Sequence, residues 1–194
     1  MEERTLDRPM PNPNLKLTTE DYERFPDDGQ RHELIDGEHV VTPAPTVQHQ
    51  RVLARLFVAV HATVDAQALG EVLFAPTDVV LSWQDVVQPD LLFVSQERSA
   101  IVTNRVDGAP DLAAEILSPS SRRADEVLKR RRYETFGVRE VWIVDPEIEV
   151  VRVYRRESPE RFGRPEELSA ERGDVLETPL LPGFSLELGR LFSR

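Results

Sequence analysis

Cysteine is absent from this 194-residue chain, which excludes disulfides, a thiolate zinc site and a thiol nucleophile and fits a reducing, cytoplasmic compartment. Long hydrophobic runs are absent too. No stretch approaches the roughly eighteen apolar residues that span a bilayer, and the opening MEERTLDRPMPNPN, with mixed charge and three prolines, is unlike a secretory signal. The expectation is a soluble intracellular protein with no membrane partner. Positive charge is scarce: Lys plus Arg is 24 against 35 for Asp plus Glu, a net charge of −11, which argues against broad attraction to a polyanion. Any nucleic-acid contact must therefore be local. Arg122, Arg123, Lys129, Arg130, Arg131 and Arg132 crowd one short stretch that is either such a site or a solvated helix face. Several chemical signatures are missing as well: there is no GxxxxGK[ST] phosphate loop, no GxGxxG, no GxSxG elbow and no HExxH zinc helix.

What is present suits a globular α+β chain, with 40% hydrophobic and 30% charged residues and length enough for a real core. Prolines mark the segment through Asn14 as a loosely attached tail, leaving 15–194 as one folded unit. Thr18 or Thr19 caps a short helix through Arg24. Asp36 and Gly37 then divide Arg31–Ile35 from Glu38–Val41 as a β-hairpin. Leu53, Leu56, Phe57, Val60 and Val64 recur at spacings of three and four, so Val47–Leu69 is a long helix with Gly70 as its C-terminal cap. His49, four residues before Leu53, lies on the same packed side. Strands follow at Glu71–Phe74, Asp78–Trp83, Val86–Val94 and Leu112–Leu117. A helix over Ala124–Phe136 is stopped by Gly137, and two more strands cover Val138–Val144 and Val150–Tyr154. Leu176–Phe192 supplies a last edge element, and Trp83 and Trp142 read as sheet-packing aromatics.

Three charges sit where charge is costly. Asp90 interrupts the apolar run VVQPDLLFV, and Glu115 lies inside DLAAEILS on the strand face it shares with Ala113 and Leu117. Two such carboxylates on neighbouring strands repel one another unless a cation lies between them, and hard oxygen donors favour Mg²⁺ or Mn²⁺. At about 100° per residue, Asp125, Tyr133 and Phe136 fall within about 40° of Lys129, which puts this lysine on a packed stripe facing the sheet. Simpler explanations exist for each: a turn cap for Asp90, an arginine partner for Glu115, and a Lys129 that snorkels to water.

In order along the chain, ELIDGE, PTVQHQRVLARL, QPDLLFV, AAEILSPSSRRAD, LKRRRYETFGVREVWIVDP and LPGFSLELGRLF resemble the Uma-two family of the PD-(D/E)XK nuclease superfamily, over nearly all of Leu17–Phe192. The resemblance implies a restriction-endonuclease-like core, a mixed central sheet flanked by helices. It implies an endodeoxyribonuclease whose metal, Mg²⁺ or Mn²⁺, is held by Asp90, Glu115 and the Ile116 carbonyl and activates a water against phosphorus. Position 117, where the superfamily pattern has lysine, is Leu117, and Lys129 on the following helix takes that role. Glu33 and His49 match family positions near the site, where they hold a water or orient substrate. Ser118, Ser120, Arg122 and Arg123 begin a loop suited to backbone phosphates. The implied partner is nucleic acid, DNA first, and the implied assembly a homodimer. The rival is an inactive, dimeric binding or regulatory module on the same fold, favoured by the acidity and the displaced lysine.

Overall fold

The computed structural model describes residues 16–119, 121, 122 and 124–193, so the expected N-terminal tail, Ser120 and Arg123 lie outside the described residues. Helix α1 (Thr19–Tyr22) opens on a reciprocal cap: the Thr18 hydroxyl accepts from the Asp21 amide, and the Asp21 carboxylate accepts from the Thr18 amide. Strands β1 (Arg31–Ile35) and β2 (Glu38–Thr42) form the hairpin, with Asp36 at φ 51° and Gly37 at φ 72° supplying the left-handed pair that a two-residue turn needs. Helix α2 (Val47–Gln67) is capped by Thr46 and buries Val52, Leu53, Leu56, Val60 and Val64, with His49 on the same face. Then come β3 (Gly70–Phe74), β4 (Val79–Ser82), β5 (Asp85–Val87), β6 (Leu91–Ser95), β7 (Val106–Asp107) and β8 (Leu112–Ile116). A π-helical turn over Ala124–Lys129 runs into α3 (Arg130–Phe136), closed by Gly137 at φ 91°. The chain ends with β9 (Glu140–Asp145), β10 (Val150–Ser158), β11 (Arg161–Phe162), β12 (Glu166–Ser169), β13 (Val175–Leu176), β14 (Leu186–Glu187) and α4 (Leu188–Leu191).

The main sheet runs β11-β10-β9-β8-β6-β3, with β12 paired to β10, and a second sheet runs β2-β1-β5-β4-β7. Strands β8 and β9 are parallel, while β3, β6, β10 and β12 pair antiparallel to their neighbours, so the sheet is mixed. Strand alternation gives it two apolar faces. Leu91, Phe93, Leu112, Ala114 and Ile116 pack under α2 and the C-terminal segment. Leu92, Val94, Ala113 and Leu117 face Tyr133 and the second sheet. Glu115, between Ala114 and Ile116 on β8, points to that second face. Among the described residues no helix is long and apolar enough to cross a membrane.

Four expectations are corrected. Val86–Val94 is not one strand: Pro89 has no N–H for a central ladder, so Gln88–Asp90 carries the chain from the second sheet into the main one. Gly70 does not cap α2. Ala68 takes the left-handed position at φ 51°, while Gly70, at φ 147°, lets β3 lie against β6 where a Cβ would meet the Val94 carbonyl at 2.1 Å. Leu176–Phe192 is not a simple edge. Its Leu176, Leu181, Phe184, Leu188 and Leu191 are buried in the core, and Phe184 stacks on Trp142 with centroids 5.8 Å apart. Trp83 is 66% exposed beyond the end of β4, where it packs into neither sheet face.

Ala68 carries the cost of a left-handed Cβ that glycine avoids. Ala68→Gly is therefore expected to stabilise the chain by about 0.5–1 kcal/mol, read as a higher urea midpoint at unchanged slope. A lower midpoint would mean that the helix end is not strained.

Candidate active site

The junction between the two sheets assembles the site. Asp90 follows Pro89 and enters β6 buried, 3% exposed. Its Oδ2 accepts from the Ile116 amide on β8 at 2.8 Å and from His49 Nε2 on α2 at 3.0 Å, and its Oδ1 accepts from Arg31 Nη1 on β1 at 3.0 Å. One carboxylate thus ties four elements together. Burial pushes its pKa up, but the hydrogen bond and charge of His49, with Arg31 and Lys129, outweigh burial and hold it down at about 2. Asp90 is a carboxylate at any physiological pH.

Glu115, 1% exposed in the middle of β8, receives the Tyr133 hydroxyl on Oε1 and the Lys129 ammonium at 3.1 Å on Oε2. Lys129 Nζ also forms ion pairs with Glu33 Oε1 at 2.9 Å and Asp125 Oδ1 at 3.2 Å, so three carboxylates surround it. Burial works against that ammonium, but Glu115, Glu33 and Asp125 overcome it and raise the Lys129 pKa well above its ordinary value. Lys129 is a fixed cation and not a general base. Glu33 is anchored in turn by the Gln88 amide, which donates to Oε1 at 2.7 Å.

Four buried or nearly buried carboxylates, those of Glu33, Asp90, Glu115 and Asp125, therefore face two permanent cations, Arg31 and Lys129. Carboxylates outnumber the permanent cations by two before His49 is counted. Burial, followed by the surrounding acids, raises the pKa of Glu115 well above normal despite Lys129, and the same forces raise that of Asp125. The remaining space is a cavity of about 10 Å³ lined by Arg31, His49, Asp90, Glu115, Asp125 and Lys129, with Thr42, Pro43 and Pro45 also in its wall, room for one water or one small ion.

The five expected residues Asp90, Glu115, Lys129, Glu33 and His49 are all brought together here. At Ile116 the contact on Asp90 comes from the amide, whereas a metal ligand there would be the carbonyl. Of the expected phosphate loop, Arg122 is spent on Asp145 (2.6 and 3.3 Å) and Glu147 (3.2 Å), and Ser118 and Ser121 share a hydroxyl contact at 2.9 Å. The basic cluster is likewise largely structural: Arg132 clamps buried Asp85 at 2.6 and 2.7 Å, and Arg130 pairs with Glu134. Phe136 packs in the second core and under Arg132, away from the site.

Sequence reasoning did not single out Arg31, Asp125 or Tyr133 as site residues. The signal for Arg31 is the strand period, since it lies two residues before Glu33 and so on the same face. The signal for Asp125 and Tyr133 is their spacing of four from Lys129 on either side.

The donor set suits a hard divalent cation in type and charge. Among the described residues no three His, Asp or Glu side chains are grouped to hold a metal. Mg²⁺, however, uses one or two carboxylates and fills its shell with water and substrate phosphate. Among the described residues the buried side-chain polar atoms without a partner are Arg31 Nε, His49 Nδ1 and Gln88 Oε1, the first two on side chains that hydrogen-bond Asp90.

The described residues form a mixed sheet flanked by helices, with Asp90, Glu115 and Lys129 at one junction. The chain belongs to the Uma2 family, described as "Putative restriction endonuclease", whose model matches residues 19–189. Among solved structures it is similar to one described as a putative nuclease belonging to DUF820 from Anabaena variabilis ATCC 29413. That likeness has a TM-score of 0.75 and 20% identity over 91% of this chain and 98% of the other, and it concerns the fold. No curated protein matches the chain.

Proposed function

We propose that the chain is a metal-dependent endonuclease that hydrolyses phosphodiester bonds of DNA. The observation that carries this reading is the meeting of Asp90, Glu115 and Lys129, from three separate segments, around one cavity where acidic side chains outnumber permanent cations. Asp90 and Glu115 would hold Mg²⁺ or Mn²⁺, which when bound supplies positive charge against the phosphoryl oxygens and makes water more acidic. His49 and the Ile116 amide fix the Asp90 carboxylate, and Tyr133 fixes that of Glu115. Lys129, permanently charged, places an ammonium beside the developing phosphoryl charge and donates no proton. Glu33 and Asp125 hold that ammonium in place. Cutting two antiparallel strands is served by two sites related by a two-fold axis, so the reading includes a cytoplasmic homodimer.

The test is cleavage of plasmid and oligonucleotide DNA with Mg²⁺ or Mn²⁺ by the wild type, Asp90→Ala and Lys129→Ala. Metal-dependent cutting that disappears in both variants is expected. Cutting that persists in both would belong to a contaminating nuclease and leave the fold as a binding module.

A further inference from the structure

Arg31 is the one cation of the site that the proposed chemistry has not used, and its position is unusual. Its Nη1 donates to Asp90 Oδ1 at 3.0 Å, on the carboxylate oxygen that neither His49 nor Ile116 touches. Its Nη2 donates to the Gln88 carbonyl, while its Nε is buried without a partner. The guanidinium lines the same small cavity as Lys129. Arg31 thus pairs with the Asp90 oxygen that His49 and Ile116 leave free.

Resting on the endonuclease reading, we propose that Arg31 and the metal exchange on Asp90, and that the released guanidinium binds the phosphate diester of the substrate. The chemistry favours this order. An arginine fork satisfies two oxygens of a phosphate as well as it satisfies a carboxylate. A divalent cation replaces the single charge of Arg31 with two, in a cluster that is short of positive charge. Once released, the Arg31 guanidinium offers its fork to a phosphate, which would give its Nε the acceptor it lacks. Until metal arrives, Arg31 keeps Asp90 from being a buried, half-compensated charge.

Exchange makes a directional demand that a structural role would not: removal of Arg31 must improve metal binding while weakening phosphate binding. The experiment measures Mn²⁺ affinity by electron paramagnetic resonance, without DNA, in the wild type, Arg31→Gln, Arg31→Lys and Asp90→Asn. Binding of an oligonucleotide in Ca²⁺ is measured alongside, and folding is checked by thermal melting. Arg31→Gln is expected to bind Mn²⁺ about tenfold more tightly and the oligonucleotide about tenfold more weakly, each equivalent to a change of 1.4 kcal/mol. Arg31→Lys, which keeps the charge without the fork, is expected to hold near-wild-type Mn²⁺ affinity and still bind the oligonucleotide weakly. A folded Arg31→Gln or Arg31→Lys whose Mn²⁺ affinity falls overturns the exchange. If Mn²⁺ binding is lost in Asp90→Asn but unchanged in Arg31→Gln, the metal site stands and only the exchange fails. If Asp90→Asn binds Mn²⁺ as the wild type does, the metal site itself is refuted, and the exchange with it.

Discussion

Lys129→Met is expected to destabilise the protein by about 3–5 kcal/mol, the cost of removing one partner from a buried ionic cluster. Methionine nearly matches the lysine in volume, so packing contributes little of that loss. Charge contributes most: Glu33, Glu115 and Asp125 would be left facing one another with Arg31 as the remaining cation. The pH dependence separates this cause from a simple cavity. Glu115 and Asp125 already have folded-state pKa values above their ordinary 4.5 and 3.8, and losing the ammonium raises them further. Where a folded state binds more protons than the unfolded one, stability falls as pH rises. The variant is therefore expected to be closest to the wild type in mild acid and to fall away as pH rises through those raised values. Asp90, held down at about 2, acts in the opposite sense: its contribution is complete above 3.8 and is lost as pH falls towards 2. Urea denaturation across this range measures both. A loss in Lys129→Met that does not vary with pH would mean that the carboxylates are not coupled through the lysine.

Asp90→Ala is expected to lower the rate of metal-dependent DNA cleavage by about a thousandfold or more, since a metal's electrostatic contribution of several kcal/mol disappears with its ligand. The substitution also strips a partner from Arg31, His49 and the Ile116 amide, so rates belong at a temperature where circular dichroism shows the variant folded. Glu115→Gln tests the second carboxylate. It keeps an acceptor for Tyr133 but turns an amide NH2 towards the Lys129 ammonium, so it is expected to lose activity at a stability cost of its own, and its rates too belong at a temperature where it is folded. Comparable activity in wild type and both variants would place the chemistry elsewhere.

Much of the site was legible because burying charge is expensive. Asp90 and Glu115 stood out against apolar neighbours, and helical spacing alone turned Lys129 towards the sheet even though the first part of that helix is π-helical. The hairpin was legible from Asp36-Gly37 and α2 from its three-and-four spacing. What failed has local causes. Apolar content on both sides of Pro89 hid the change of sheet, although a missing N–H was the clue. Gly70 drew attention as a cap when its role is close strand approach, and the alanine that caps α2 bears no sequence mark. The C-terminal segment covers the core through turns too short for any period. Arg31 was passed over because a charged residue opening a strand looks ordinary until its partner 59 residues away is known.

Diffraction from crystals soaked in Mn²⁺, with data collected at the manganese edge, reports on the centre most directly. The anomalous map should show a peak within coordination distance of the Asp90 and Glu115 carboxylates, with Arg31 withdrawn from Asp90 and Lys129 still beside Glu115. A manganese peak elsewhere on the molecule, with these two carboxylates still closed by Arg31 and Lys129, would contradict the hydrolytic centre proposed for this chain.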